Sequence, residues 1–182
     1  MVFVIVDLEA TCWEKSRDYR RMEIIEIGAV RMETPDGVPS AEFSEFVKPV
    51  AERRLTTFCT QLTSIRQADV DQADVFPVVF QRFLDWIGSD DYRLCSWGGY
   101  DLTQFRVDCD RHRVLFPTEF ESHINLKMEF AAKFSVKSCG MKRALSLAGI
   151  PLVGTHHRGI DDARNIAKLA RLILPTVMGL NE

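Results

Sequence analysis

Apolar and polar positions alternate in three runs near the start of the chain. Val2 to Glu9 is almost wholly Val, Ile and Phe until it closes on two acids. Glu23 to Met32 sets Ile25, Ile27 and Ala29 against Glu23, Glu26 and Arg31, and Glu42 to Val47 sets Phe43, Phe46 and Val47 against Glu and Ser. Runs of this kind predict strands. Thr34-Pro35-Asp36-Gly37 is a turn signal between the second and third, so the three form a meander. From Thr63 the period changes. Val75, Val79, Phe80, Phe83 and Ile87 recur at helical spacing, which predicts a helix from Phe76 to Gly88. Tyr92 to Trp97 reads as a short strand, and Leu102 to Val114 as a helix with Leu102, Phe105 and Cys109 on one stripe. His123 to Leu126 predicts a last strand, followed by helices over Lys127 to Phe134, Met141 to Ala148 and Ile160 to Leu174. The expected architecture is an α/β three-layer domain, a five-stranded mixed sheet flanked by helices, spanning residues 1–182 without linker or repeat.

Composition narrows the function classes. Forty-six per cent apolar residues with a net charge of -3 exclude a disordered chain. The apolar start is cut by Asp7 and Glu9 and has no basic flank, so it reads as neither signal peptide nor membrane span. Cys12, Cys59, Cys95, Cys109 and Cys139 are odd in number and have no zinc-like spacing with the four histidines. They read as small buried thiols of a reducing compartment, and the expected location is cytoplasmic with no membrane partner. The negative balance gives no hint of a polyanionic partner.

The chemistry concentrates at three places. Asp7 and Glu9 lie two apart on the first strand, so both carboxylates share one face about 6.6 Å apart along the strand. Two explanations stand for them at this point: an edge strand whose last acids reach solvent, and a cation site. Near the far end, Asp162 falls in register with the apolar stripe of Ile166, Leu169 and Ile173 and projects onto the buried face. Asp161 points elsewhere and is accounted for by the helix dipole. His157 sits in the loop just before, free to swing toward whatever Asp162 binds. Asp101 follows Gly98-Gly99-Tyr100 and, taken alone, reads as a helix N-cap. Lys15, Arg17, Arg20 and Arg21 crowd the loop after the first strand, a candidate phosphate track set against a solvated polar loop.

Taken together, these residues resemble the DEDDh family of 3′-to-5′ exonucleases, built on a ribonuclease-H-like fold. The resemblance is closest to the exoribonucleases of the enhanced-RNAi and histone-mRNA-decay type. It rests on Asp7-Leu8-Glu9-Ala10-Thr11-Cys12-Trp13, Glu26-Ile27-Gly28-Ala29, Phe58-Cys59-Thr60 through Leu62-Thr63 and Gln67, Asp101, and His157-x-Gly159-Ile160-Asp161-Asp162. It covers nearly the whole chain. It implies that Asp7, Glu9, Asp101 and Asp162 hold two divalent cations, Mg²⁺ or Mn²⁺, and that His157 serves as general base. It implies a terminal nucleotide beside Ala10, Thr11 and Tyr100, with Leu62 as an apolar wedge, and a single-stranded 3′ end as substrate, RNA favoured over DNA. Two departures stand out: Ser64 replaces the glycine expected after Leu62-Thr63, and no nucleic-acid-binding module precedes residue 1. Two divalent cations would more than offset the net negative charge, which leaves a protein expected to grip a short single-stranded end and to bind long duplex poorly. The alternatives are a DNA proofreading or repair exonuclease, an oligoribonuclease, and a regulatory nucleic-acid-binding protein without turnover.

Overall fold

The structure is a computed structural model that describes residues 1–16 and 18–180. Five strands form one sheet in the order β3-β2-β1-β4-β5. They are β1 (Val2–Ala10), β2 (Ile24–Met32), β3 (Ala41–Phe46), β4 (Tyr92–Ser96) and β5 (Ile124–Asn125). The meander β1 to β3 is antiparallel, and β4 and β5 join it parallel through helical crossovers. The central position of β1 explains its apolar run, since it is covered on both faces. Phe3 and Ile5 face the core under α5 (Leu126–Phe134), α6 (Met141–Leu147) and α7 (Gly159–Val177). Val4, Val6 and Leu8 face the opposite core, which is filled by Phe76, Phe80 and Phe83 of α3 (Phe76–Ile87) and Phe105 of α4 (Tyr100–His112). Strand alternation therefore carries Asp7 and Glu9 onto the α7 side.

Several elements differ from the pattern. α1 (Thr57–Thr63) and α2 (Gln67–Asp71) occupy a stretch without apolar periodicity. They are held locally: Thr56 caps α1 by accepting the Cys59 N–H at 3.0 Å, and Gln67 accepts the Leu55 N–H at 2.9 Å. The last strand is only Ile124–Asn125, because a 3-10 turn over Thr118–Ser122 and the start of α5 take the flanking residues. α7 runs three residues past Leu174, over Pro175. A proline in the final turn loses one hydrogen bond without ending the helix. α4 starts at Tyr100 and has Gly99 as its N-cap, so Asp101 lies inside the first turn and is not the cap residue. Cys59, Cys95 and Cys109 are buried as expected, whereas Cys12 and Cys139 are partly exposed. Among the described residues no helix is long and apolar enough to cross a membrane.

One contact fixes how α7 meets the sheet. A Cβ on Gly28 of β2 would lie 2.0 Å from the Gly159 carbonyl carbon, and a Cβ on Gly159 would lie 2.9 Å from the Asp7 carbonyl oxygen. Only two facing glycines allow this approach, so Gly28→Ala must push α7 off the sheet. We expect it to destabilise the protein by about 3 kcal/mol or more in a denaturant titration. At the end of α1, Ser64 takes the left-handed conformation with φ 62°. A glycine is free of the Cβ strain there, so Ser64→Gly should raise stability by about 0.5–1 kcal/mol, and an unchanged midpoint would refute this account.

Candidate active site

The acids meet where the end of β1, the start of α4 and the start of α7 converge. β1 and β4 pair only as far as Ile5 and Cys95. Beyond that point the Asp101 carboxylate takes over and accepts the Leu8 N–H at 3.0 Å, a bond between residues 93 apart in sequence. Asp162, in the first turn of α7, is buried and brings an oxygen within 4.8 Å of oxygens of Asp7 and Glu9. Its Oδ2 accepts the His157 backbone N–H at 2.9 Å and faces His156 Nδ1 at 2.8 Å.

The loop before α7 is tied at both ends. Asp161 accepts the Thr155 N–H at 2.8 Å and pairs with Arg164 at 2.9 Å. Glu26, fully buried on β2, accepts the Gly159 N–H at 3.0 Å and pairs with Arg158 at 3.1 Å. Glu26 stands directly across from Glu9 in the antiparallel register. Like charges so placed repel, and Arg158 compensates one of the two. Between these ties His157 takes a positive φ of 66°, and its ring stacks on His156 with centroids 3.9 Å apart.

Electrostatics sets this cluster apart from the rest of the chain. Burial, then the charges of Asp101, Glu9 and Asp162, hold the Asp7 carboxyl well above the usual carboxylate range. Burial and Glu26 do the same to Glu9. Asp101 is pushed up to about 6 by burial, against the opposing pull of its bond from Leu8. Burial, and then the neighbouring His156, hold His157 below its ordinary value. Asp7 and Glu9 enter no ion pair with a side-chain cation among the described residues. Oxygen donors crowded in this way, with charge uncompensated by protein cations, fit hard divalent cations of the Mg²⁺ and Mn²⁺ type.

A cleft of about 460 Å³ opens over the acids. Asp7, Glu9, Asp101, His157 and Asp162 line it, as do Ala10, Leu62 and Tyr100. Thr11 does not line it: the residue is buried, and its hydroxyl accepts the Glu23 N–H at 3.0 Å. The described residues of the basic loop stay outside too. Arg21 lies over the Trp13 ring at 4.0 Å and pairs with Glu52 at 2.8 Å, Lys15 and Arg20 are exposed, and Arg17 lies outside the described residues. Among the described residues the lysines and arginines that line the cleft are instead Lys127 and Lys142. Neither is conspicuous in the sequence, since both stand in otherwise ordinary helical stretches. His156 likewise carries no signal there beyond its adjacency to His157.

Comparison with known proteins places this arrangement in context. The RNase_T family model, described as Exonuclease, matches residues 4–170. The chain is 31% identical over 189 residues to ERI1 exoribonuclease 2 of Homo sapiens, covering 92% of this chain and 27% of that protein. It thus spans about a quarter of the length of that relative. Among solved structures it is similar to the nuclease domain of 3′hExo, a DEDDh family member bound to rAMP, with a TM-score of 0.90 and 30% identity over 96% of this chain and 92% of that one. A structure of 3′-exonuclease in 3′-end specific recognition of a histone mRNA stem-loop aligns with a TM-score of 0.90 and 29% identity, covering 96% of this chain and 64% of that one.

The raised carboxyls have a consequence for stability. Acids whose folded pKa lies above the unfolded value bind extra protons in the native state, so metal-free stability falls as pH rises through that window. Between pH 5 and 7 the metal-free melting temperature should therefore decline, and saturating Mg²⁺ should flatten the decline. Asp7→Asn should raise metal-free stability by about 1–2 kcal/mol, the scale of one pKa unit of relieved charge, and should abolish the Mg²⁺-induced rise. A variant no more stable than the parent in EDTA would remove the charge-crowding account.

Proposed function

The chain belongs to the RNase_T exonuclease family, and from that premise we propose that it is a divalent-metal-dependent 3′-to-5′ exonuclease acting on single-stranded RNA ends. The observation that carries this reading is the convergence of Asp7, Glu9, Asp101, Asp162 and His157 on one cleft from three distant parts of the chain. RNA is favoured over DNA because the similar proteins named above are an exoribonuclease, a nuclease domain bound to the ribonucleotide rAMP, and a 3′-exonuclease that recognises a histone mRNA stem-loop.

The residues divide the work. Asp7, Glu9, Asp101 and Asp162 would hold two divalent cations, Mg²⁺ or Mn²⁺. When bound, such cations supply Lewis-acid stabilisation of the charge that builds on the phosphodiester oxygens. His157 is the general base: a lowered pKa leaves its imidazole neutral at pH 7, able to take a proton from the attacking water. The ties of Asp161 and Glu26 on either side of His157 hold the backbone of the loop that brings that imidazole to the cleft. Tyr100 offers a ring face to the terminal base, and Leu62 with Ala10 forms an apolar wall on which that base rests. Thr11 contributes by bracing the strand end through its bond from Glu23 rather than by touching substrate. Water enters, and the freed nucleoside 5′-monophosphate leaves, by the same open cleft.

The test is a 5′-labelled single-stranded RNA incubated with Mg²⁺, with EDTA, and beside DNA of the same sequence. A ladder shortening from the 3′ end, lost in EDTA and faster on RNA, is the expected result. Asp7→Ala should lower turnover below detection, and His157→Ala should lower it by about 10²–10⁴-fold, the contribution of a positioned base. No ladder on either strand would favour a binding protein without turnover, and faster DNA digestion would favour the repair-type reading. His157→Ala at near-parental turnover would remove the base assignment.

A further inference from the structure

Nothing in the mechanism above uses His156, yet it touches both halves of the machinery. Its Nδ1 lies 2.8 Å from Asp162 Oδ2 and 3.2 Å from Oδ1, and its ring lies nearly parallel to that of His157, at 18° and 3.9 Å. Asp162 is almost fully buried, at 5% side-chain exposure, while His156 keeps 34%. The more exposed ring thus covers the buried carboxylate from the solvent side. Because a carboxylate can only accept, the contact requires a proton on Nδ1 of His156.

We propose that His156 is a positioning residue that holds the Asp162 carboxylate through its Nδ1–H and backs the His157 ring by stacking. The role rests on the exonuclease reading above, but its two parts are separable. Oδ2 of Asp162 takes two donors, the His157 N–H and the His156 Nδ1–H, which together fix the carboxylate's rotation. The lone pairs left over are those open to a cation shared with Asp7 and Glu9. A hydrogen bond that orients a ligating carboxylate is worth about 10–100-fold in metal affinity. The stack acts on the other group. His157 sits at φ 66°, a region that residues other than glycine rarely occupy. The ties on Thr155, Arg158 and Gly159 hold the loop backbone. They leave the His157 side chain itself to be steadied by its neighbour.

Two substitutions separate the contributions. His156→Phe keeps a ring but no donor, and His156→Asn keeps a donor but no ring. Calorimetric titration of the metal-free protein with Mn²⁺ reads the first contribution without any turnover. His156→Phe should weaken Mn²⁺ affinity by about 10–100-fold, and His156→Asn should recover most of that loss. At saturating Mn²⁺ with single-stranded RNA the order should invert: kcat falls further in His156→Asn than in His156→Phe, with KM moving less than kcat in both. Mn²⁺ affinity equal to the parent in both variants overturns the proposal, and so does a parent that binds no Mn²⁺. Equal losses in both variants together with lowered melting temperatures would reduce His156 to a structural role, which also overturns it. A parent that binds Mn²⁺ with the predicted variant order but cleaves neither RNA nor DNA would defeat the exonuclease reading while leaving the Asp162 contact in place.

Discussion

The close approach of Gly28 and Gly159 is the constraint on which the rest of the molecule depends. A helix packed on a sheet through ordinary side chains stands about 10 Å away, too far for its first turn to share a site with the strand beneath. With no Cβ on either side, the start of α7 comes down onto the β2 backbone and onto the Asp7 carbonyl. Asp162 is then brought beside the Asp7 carboxylate, and the loop ahead of the helix must turn sharply over the same spot. Glu26 completes the joint by accepting the Gly159 N–H at the positive end of the helix. The same joint thus sets helix placement, loop conformation and carboxylate convergence.

That convergence is unfavourable in itself. Four carboxylates are drawn together at low exposure, with Glu26 as a fifth close behind. Among the described residues an arginine neutralises only the fifth: Arg158 serves Glu26, just as Arg111 serves the buried Asp108 on α4. Asp7 and Glu9 are left with neighbours of their own sign. Such a cluster remains folded because the aromatic core under β1, from Phe76 to Phe105, and the aliphatic core under α7 carry the stability independently of it. The molecule therefore keeps a strained electrostatic arrangement on a well-packed base, and that arrangement is what makes it receptive to added positive charge.

Much of this was legible in the residues, for identifiable reasons. The β1 run is apolar because both faces are covered, and its two closing acids stand out against that background. Asp162 was traceable because helical periodicity assigns it to the stripe of Ile166 and Ile173. What could not be read depends on contacts between residues far apart or on single torsions. α1 and α2 have no periodicity to detect: Thr56 caps α1 and donates its hydroxyl to the Cys12 carbonyl, 44 residues earlier. Asp101 looks like a cap until Leu8, 93 residues earlier, is seen to donate to it. The basic loop was conspicuous as composition, yet Arg21 is occupied by Trp13 and Glu52. The position of His156 follows from the φ of the residue beside it, which no pattern of residue types encodes.

The assembly of the site from opposite ends of the chain has a further consequence, in the order of synthesis. Asp7 and Glu9 leave the ribosome about 150 residues ahead of His157 and Asp162, at a pace of roughly 5–20 residues per second. Throughout that interval β1 can pair with β2 and β3, but the α7 face of the sheet stays bare and the acids lack their partners. The acids are brought together when α7 docks, and the same docking buries the core that faces that helix. Site assembly and folding are completed together, so an incompletely folded copy lacks the assembled carboxylate cluster.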